Sequence, residues 1–170
     1  MTLVVPTTER HREWLELVEE FGGEHVAGGA FFGTTAAELA DSATFAAWVD
    51  DALASEREER VPDGFVASTV RWVEQDGRLV GLVHLRHELN ASLLQEGGHI
   101  GYAVRPTARR RGVATGALAA MLGVARARGI ERALVTCDDG NVASARTIET
   151  NAGVLEDVRD GKRRYWITVP

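Results

Sequence analysis

The sequence predicts a mixed α/β (α+β) fold: one domain over residues 1–170, with helices on both faces of a mostly antiparallel, twisted sheet. Three observations lead to this prediction. Two segments near the start carry apolar residues at helical spacing, two β-rich runs meet at an Asp-Gly pair, and the second half alternates strand-like with helix-like segments. A chain of 170 residues is expected to bury a single core of ordinary size.

The first third of the chain is predicted to be mainly helical, after a short strand at residues 3–5. A helix over residues 9–21 has its apolar positions on one face, namely Trp14, Leu17, Val18 and Phe21. Gly22 and Gly23 are expected to end that helix. A second helix is predicted over residues 44–58, with an inward face formed by Phe45, Trp48, Val49, Ala52 and Leu53.

The period of the pattern changes after residue 64. Residues 65–74 and 78–86 are β-rich, and Asp76-Gly77 between them predicts a hairpin. A strand at residues 99–104 completes an antiparallel meander. The remaining elements are a helix at 113–128, a strand at 133–137, a helix at 142–151, and strands at 154–159 and 163–169 around Asp160-Gly161. The second half therefore has the order β-α-β-α-β-β.

Composition excludes several classes of protein. The formal net charge of -6 argues against general affinity for nucleic acid and leaves room only for a local basic patch. The single cysteine, Cys137, permits neither an internal disulfide nor a metal-binding cysteine pair. Because the chain has no signal-peptide pattern and no apolar run of membrane-spanning length, we expect a cytoplasmic protein that uses no membrane and no metal.

One loop concentrates positive charge in this acidic chain: Arg105, Arg109, Arg110 and Arg111 precede Gly112 and a run of helix formers. N–H groups at a helix start lack internal partners and favour an anion. A glycine lets the backbone approach that anion, and arginines add charge-assisted hydrogen bonds. The loop therefore indicates a phosphate site, and the alternative is a solvated basic turn. Neither G-x-G-x-x-G nor the P-loop pattern is present.

The same loop resembles a known motif. Val104, Pro106, Arg109, Gly112 and Ala114 form V-x-P-x-x-R-x-x-G-x-A, which is similar to the acetyl-CoA motif of the GNAT N-acetyltransferase superfamily. The stretch TCDDGNVASARTIETNAGVLED resembles the segment that follows in that family. Together with LRHELN and GGHIGY, these stretches resemble a poorly assigned subgroup of predicted acetyltransferases over residues 66–169. The resemblance implies a GNAT-like fold whose sheet is splayed at the acetyl-CoA site.

The resemblance also implies how acetyl-CoA is held. Backbone amides of the loop and helix would bind the pyrophosphate, and the pantetheine arm would pair with the edge of the strand before the loop. The implied cofactor-binding residues are Ala103, Val104, Arg109, Arg110, Arg111, Gly112, Val113, Ala114, Thr115, Asn141 and Ser144. Asn141 fits equally well as the N-cap of the next helix.

Direct acyl transfer to an amine needs a base, an oxyanion donor and a proton for the leaving thiolate. The catalytic candidates are Glu96, His99 and Tyr102, with a backbone N–H near residues 102–104 as the oxyanion donor by family analogy. Ile148 stands where many relatives have a tyrosine acid, which leaves Tyr102, Ser144, water or no dedicated group as the proton source. Ala152 replaces a frequent glycine of the family, and Cys137 fits a small buried strand residue better than the nucleophile of an acyl-enzyme. Strand alternation places His99 and Tyr102 on opposite faces, so His99 is equally well interpreted as a hydrogen-bonded core residue.

Several alternatives stay open at this level. Arg86, His87 and Asn90 could line an acceptor pocket, whereas Glu88 fits a polar loop better. The main hypothesis is an acetyl-CoA-dependent N-acetyltransferase acting on a small-molecule or peptide amine. The alternative is a catalytically silent CoA-binding or regulatory domain. A nucleic-acid-binding module lacks interleaved exposed aromatic residues and contradicts the acidic balance. A homodimer is compatible with the sequence but not indicated by it.

Overall fold

The computed structural model describes residues 1–22, 26 and 29–170. Its four α-helices are α1 (His11–Glu19), α2 (Ser42–Glu56), α3 (Val113–Ala127) and α4 (Val142–Thr150). Its seven strands are β1 (Thr2–Val4), β2 (Ser68–Gln75), β3 (Arg78–Arg86), β4 (Ile100–Val104), β5 (Arg132–Asp138), β6 (Val154–Arg159) and β7 (Lys162–Thr168). None of these helices is long and apolar enough to cross a membrane.

The strands form two antiparallel sheets, and the predicted hairpins are confirmed. The first sheet has the order β1-β2-β3-β4 and the second the order β5-β7-β6. Asp76 and Gly77 join β2 to β3 with φ of 52° and 76°, and Asp160 and Gly161 join β6 to β7 with φ of 48° and 76°. Two successive left-handed residues match the twist of a hairpin, which explains why Asp-Gly predicted both turns correctly.

The core lies on both faces of the sheet, as the fold class predicts. On one face α1 and α2 pack Trp14, Phe45 and Trp48 against Trp72 of β2. On the other face α3 and α4 contribute Leu118, Met121 and Ile148. The apolar positions predicted to point inward are buried, except that Phe21 and Leu53 are only half-buried.

Two local features were not predicted from the sequence. Residues 93–97 form a π-helical turn, Leu93–Gly97, closed by the Gly98 N–H donating to the Leu93 carbonyl at 2.7 Å. Ala152, at a position where relatives often have glycine, adopts the same left-handed backbone with φ of 61°, so the turn after α4 is kept. Gly23, predicted to help end α1, lies outside the described residues.

Candidate active site

A gap between β4 and β5 separates the two sheets. β4 pairs with β3 on one side. On the other side the described residues give two hydrogen bonds: the His99 N–H donates to the Leu134 carbonyl at 2.7 Å, and the Leu134 N–H donates to His99 Nδ1 at 2.9 Å. These bonds lie at the start of β4, and no strand pairing between β4 and β5 follows them. The strands therefore separate along Ile100–Val104, and β4 has an edge free to pair with an extended ligand.

The arginine loop presents a row of unpaired amides at the open end of this gap. Arg110 and Gly112 have left-handed φ of 60° and 76°, and α3 begins immediately afterwards. The first helical bond is donated by the Gly116 N–H to the Gly112 carbonyl at 3.0 Å. The backbone N–H groups of residues 110–115 have no acceptor among the described residues. Such a nest at a helix N-terminus binds an anion well.

The four arginines of the loop have different environments. Arg105 is buried, forms an ion pair with Glu20 of the segment that follows α1, and donates to the Leu79 carbonyl at 2.9 Å. Arg109 Nε donates to the Val104 carbonyl at 3.0 Å. Only Arg110 and Arg111 are exposed without a hydrogen bond or ion pair to the described part of the chain. The acidic protein therefore uses two of the four to stabilise the loop and leaves two for a ligand.

A cavity of about 810 Å³ lies beside the gap. One side is formed by Tyr102 of β4 together with Thr136 and Cys137 of β5. The lining also includes three aromatic residues from the first half of the chain, Phe31, Phe32 and Phe65. Glu96, Asn141 and Ser144 complete the rim. The structure therefore brings together, at one cavity, four of the catalytic and cofactor-binding candidates: Glu96, Tyr102, Asn141 and Ser144.

Tyr102 and Ser144 form a hydroxyl pair within this cavity. Tyr102 Oη lies 2.9 Å from Ser144 Oγ. Burial raises the pKa of Tyr102 to about 12, so its hydroxyl stays protonated at neutral pH and can donate a hydrogen bond. Cys137 is nearly buried, and that burial raises the pKa of its thiol. A neutral thiol is a weak nucleophile, which favours the interpretation of Cys137 as a strand residue rather than an acyl carrier.

Glu96 is held at the rim by the backbone around it. Thr136 Oγ1 donates to the Glu96 carbonyl at 2.6 Å. The guanidinium of Arg86 donates to the carbonyls of Gly97 and Gly98 at 3.1 and 3.2 Å. The Glu96 carboxylate itself is exposed and forms no ion pair within the described ranges. It is therefore free to act on a molecule in the cavity.

His99 is not brought to the cavity. Its ring is buried, accepts the Leu134 N–H, and meets Trp166 edge-on with ring centroids 6.4 Å apart. Burial and then the nearby Arg86 lower the pKa of His99 to about 4. The structure supports the alternative interpretation of His99 as a hydrogen-bonded core residue that joins β4 to β5.

The other expected residues divide between two places. Arg86 and Asn90 line the cavity, whereas His87 and Glu88 line a separate hollow with Arg128. Asn141 Oδ1 accepts the Ser144 N–H at 3.0 Å, which confirms its N-cap role. Ile148, at the family's tyrosine position, is fully buried in the core.

Sequence reasoning missed His84, which lines the cavity from β3. It is buried, and neither ring nitrogen has a hydrogen-bond partner among the described residues. Burial, followed by the charges of Arg86 and His87, lowers the pKa of His84 well below its ordinary range. The available signal was a lone polar residue inside the apolar run from Leu79 to Leu85.

Comparison with known structures supports the fold. The structure is similar to Mycobacterium smegmatis RimJ in complex with CoA-disulfide (TM-score 0.71, 18% identity, covering 98% of this chain and 80% of that one). It is similar to the ribosomal L7/L12 alpha-N-protein acetyltransferase RimL in complex with coenzyme A (TM-score 0.68, 14% identity, covering 98% of this chain and 93% of that one). It is also similar to the microcin C7 self-immunity acetyltransferase MccE in complex with acetyl-CoA and AMP (TM-score 0.67, 14% identity, covering 99% of this chain and 92% of that one).

No curated protein matches the chain significantly. The sequence model described as the acetyltransferase (GNAT) family matches residues 33–153, which is more than half of the chain and includes β2 to α4 with the arginine loop. The chain belongs to the acetyltransferase (GNAT) family.

Proposed function

We propose that this acetyltransferase transfers the acetyl group of acetyl-CoA directly to the nitrogen of an amine, without a covalent acyl-enzyme. The observation that carries the proposal is the run of unpaired amides at residues 110–115, placed at the open end of the gap between β4 and β5. A pyrophosphate satisfies those amides, and a pantetheine arm satisfies the free edge of β4. A single molecule of acetyl-CoA carries both the pyrophosphate and the pantetheine arm.

The chemistry needs few protein groups. The amine nitrogen attacks the thioester carbonyl carbon, the C–S bond breaks, and the sulfur leaves as a thiolate. We assign removal of the amine proton to Glu96, because its carboxylate is exposed at the rim without an ion pair to the described residues. A backbone N–H of β4 along Tyr102–Val104 would face the developing oxyanion.

Tyr102 would stabilise the departing thiolate. Its pKa of about 12 lies above the roughly 8.5 of an ordinary thiol, so it donates a hydrogen bond without losing its own proton. The thiolate then takes a proton from water, and Glu96 returns the amine proton to water, so the enzyme ends in its starting protonation state. Ser144, at 2.9 Å from the phenol oxygen, orients this donor.

The acceptor is proposed to be the amine of a small molecule or a peptide. The relatives suggest both classes, since one is described as an alpha-N-protein acetyltransferase and another as a microcin self-immunity acetyltransferase. A cytoplasmic location and a homodimer stay predictions; cell fractionation and sedimentation velocity test them.

A thiol-release screen with acetyl-CoA against amines, amino acids and peptides tests the proposal. Release that depends on an amine supports transfer, and the product should carry the acetyl group on nitrogen. Acetyl-CoA binding without release for any acceptor would instead favour a catalytically silent CoA-binding domain, an alternative suggested by Ile148 at the family's tyrosine position. Glu96→Gln should move the acidic limb of the kcat/KM profile; an unchanged profile would exclude Glu96 as the base.

A further inference from the structure

The cavity contains a buried histidine that the transfer chemistry does not use. His84 is 5% exposed, and both of its ring nitrogens lack a hydrogen-bond partner among the described residues. Leaving a buried polar group unpaired is unfavourable, and native proteins rarely do so without a reason. The contrast with His99 is direct, because that ring is similarly buried but accepts the Leu134 N–H at 2.9 Å.

His84 lies on the β3 wall of the cavity, next to the first residues of β4. On β3 it lies directly across from Gly101 of β4, one residue before Tyr102. Gly101 also lines the cavity and contributes no side chain to it. His84 is therefore one strand away from the residues assigned to the thioester. Its side chain lies on the opposite face of the sheet from that of Tyr102, and both residues line the cavity.

Phe32 covers the imidazole. The two rings meet edge-on with centroids 6.2 Å apart, and Phe32 meets Phe65 edge-on at 5.5 Å. A ligand that moved the Phe32 side chain aside would uncover the ring nitrogens of His84.

The chemistry of the ring selects the kind of group it can bind. The lowered pKa of His84 keeps the imidazole neutral, with one nitrogen as donor and the other as acceptor. An amide or a hydroxyl group can both donate and accept a hydrogen bond, so it can pair with either ring nitrogen. A carboxylate offers no donor and gains no charge attraction from a neutral ring, and a purely hydrocarbon group leaves both nitrogens unpaired.

We propose that His84 recognises the acceptor, and that the preferred acceptors are amines with an apolar or aromatic body and an uncharged amide or hydroxyl group beside the amine. Phe31, Phe32 and Phe65 contact the body, and the His84 imidazole hydrogen-bonds the uncharged polar group. This inference rests on the proposed acetyl transfer and specifies its acceptor. His84 acts here as a binding and positioning residue.

Four acceptors with the same amine and phenyl body test the inference: phenylalaninamide, phenylalaninol, phenethylamine and phenylalanine. The parent enzyme should give higher kcat/KM for the amide and the alcohol than for the hydrocarbon and the carboxylate. His84→Leu should lower kcat/KM for the amide and alcohol by about tenfold, the value of one lost hydrogen bond, and change phenethylamine by less than about threefold. Calorimetry should show unchanged CoA affinity in the variant.

A stability measurement separates recognition from a structural role. His84→Leu removes an unpaired polar group, so its melting temperature should equal or exceed that of the parent. His99→Leu is the matched control and should melt lower, because it leaves the Leu134 N–H without its acceptor. A His84→Leu variant that melts as low as His99→Leu would overturn the inference.

The kinetic outcomes distinguish the two proposals. If no amine in any screen releases thiol, acetyl transfer itself fails, and the role of His84 fails with it. If amines are acetylated but none of the four probes is turned over, the acceptor class is wrong. If the four probes are turned over without discrimination, or His84→Leu keeps the parent preference, the recognition role of His84 is wrong.

Discussion

Replacing Gly112 with valine tests whether backbone amides, rather than arginine side chains, form the phosphate site. An added Cβ at Gly112 would have no heavy atom of the described chain within 4 Å, so the protein itself leaves space for a side chain. The left-handed φ of 76° makes the change cost about 1–2 kcal/mol of folding free energy. Because domains of this kind are stable by about 5–15 kcal/mol, the variant should stay folded.

Gly112→Val should instead weaken CoA binding. A β-branched side chain at the nest would keep the pyrophosphate from the amides of residues 110–115. Hydrogen bonds to a charged group contribute about 1.5–3 kcal/mol each, so losing two of them weakens CoA binding by about 3–6 kcal/mol, or at least about 100-fold. Calorimetric titration with CoA measures this, and circular dichroism checks the fold.

Gly129 provides a matched control for the strain. It has φ of 77° and also leaves an added Cβ without neighbours within 4 Å, but it lies at the other end of α3, a helix about 22 Å long by its rise per residue. Gly129→Val should lose similar stability and keep the parent affinity for CoA. A folded Gly112→Val with near-parent affinity, or an equal loss in Gly129→Val, would refute the backbone nest.

Three further predictions follow from the geometry. Arg110→Ala should weaken CoA binding only several-fold, because an exposed ion pair is worth about 1 kcal/mol or less, and the loss should shrink as the salt concentration rises. A salt-independent, hundredfold loss of affinity would contradict this. Tyr102→Phe should lower kcat by about 10- to 100-fold with little change in the KM for acetyl-CoA. Because the pKa of Tyr102 is about 12, the pH–rate profile of the parent should show no basic limb from this group below about pH 11. A basic limb near pH 9 that disappears in Tyr102→Phe would refute the assignment. Finally, the pKa of His99 in the folded protein is about 4, below the ordinary 6.5, so the unfolded chain binds a proton at this residue first as the pH falls. Thermal stability should therefore decrease between pH 6.5 and 4. His99→Gln should flatten this decrease, and an unchanged slope would assign it to other groups.

The sequence predicted the elements well because their signals are local. Asp76-Gly77 and Asp160-Gly161 determine their hairpins by backbone preference alone, and the buried faces of α1 and α2 follow from spacing. The loop motif likewise indicated the place of the nest. The π-helical turn Leu93–Gly97 was missed, because carbonyls of this segment are held by distant donors, Arg86, Thr136 and Arg164, whose proximity depends on the fold.

The candidate site was predicted only in part, for the same reason. Four arginines look equivalent in the sequence, but Glu20 and the Leu79 carbonyl bind Arg105, and the Val104 carbonyl binds Arg109. His99 and His84 are both single histidines in β-rich segments. Only the tertiary structure shows that the first has a hydrogen-bond partner and that the second has none among the described residues.

The most direct test of the central claim is thermal unfolding of the parent protein with acetyl-CoA, CoA and NAD. A ligand that binds only the folded state at a hundred times its Kd stabilises it by about 2.7 kcal/mol. For a chain of this size each kcal/mol raises the Tm by about 2–4 °C, so acetyl-CoA and CoA should each raise it by about 5–11 °C. NAD should produce no shift, because the dinucleotide fingerprint is absent from the sequence. An unchanged Tm in millimolar acetyl-CoA would contradict the assignment of the nest and the β4–β5 gap to this cosubstrate.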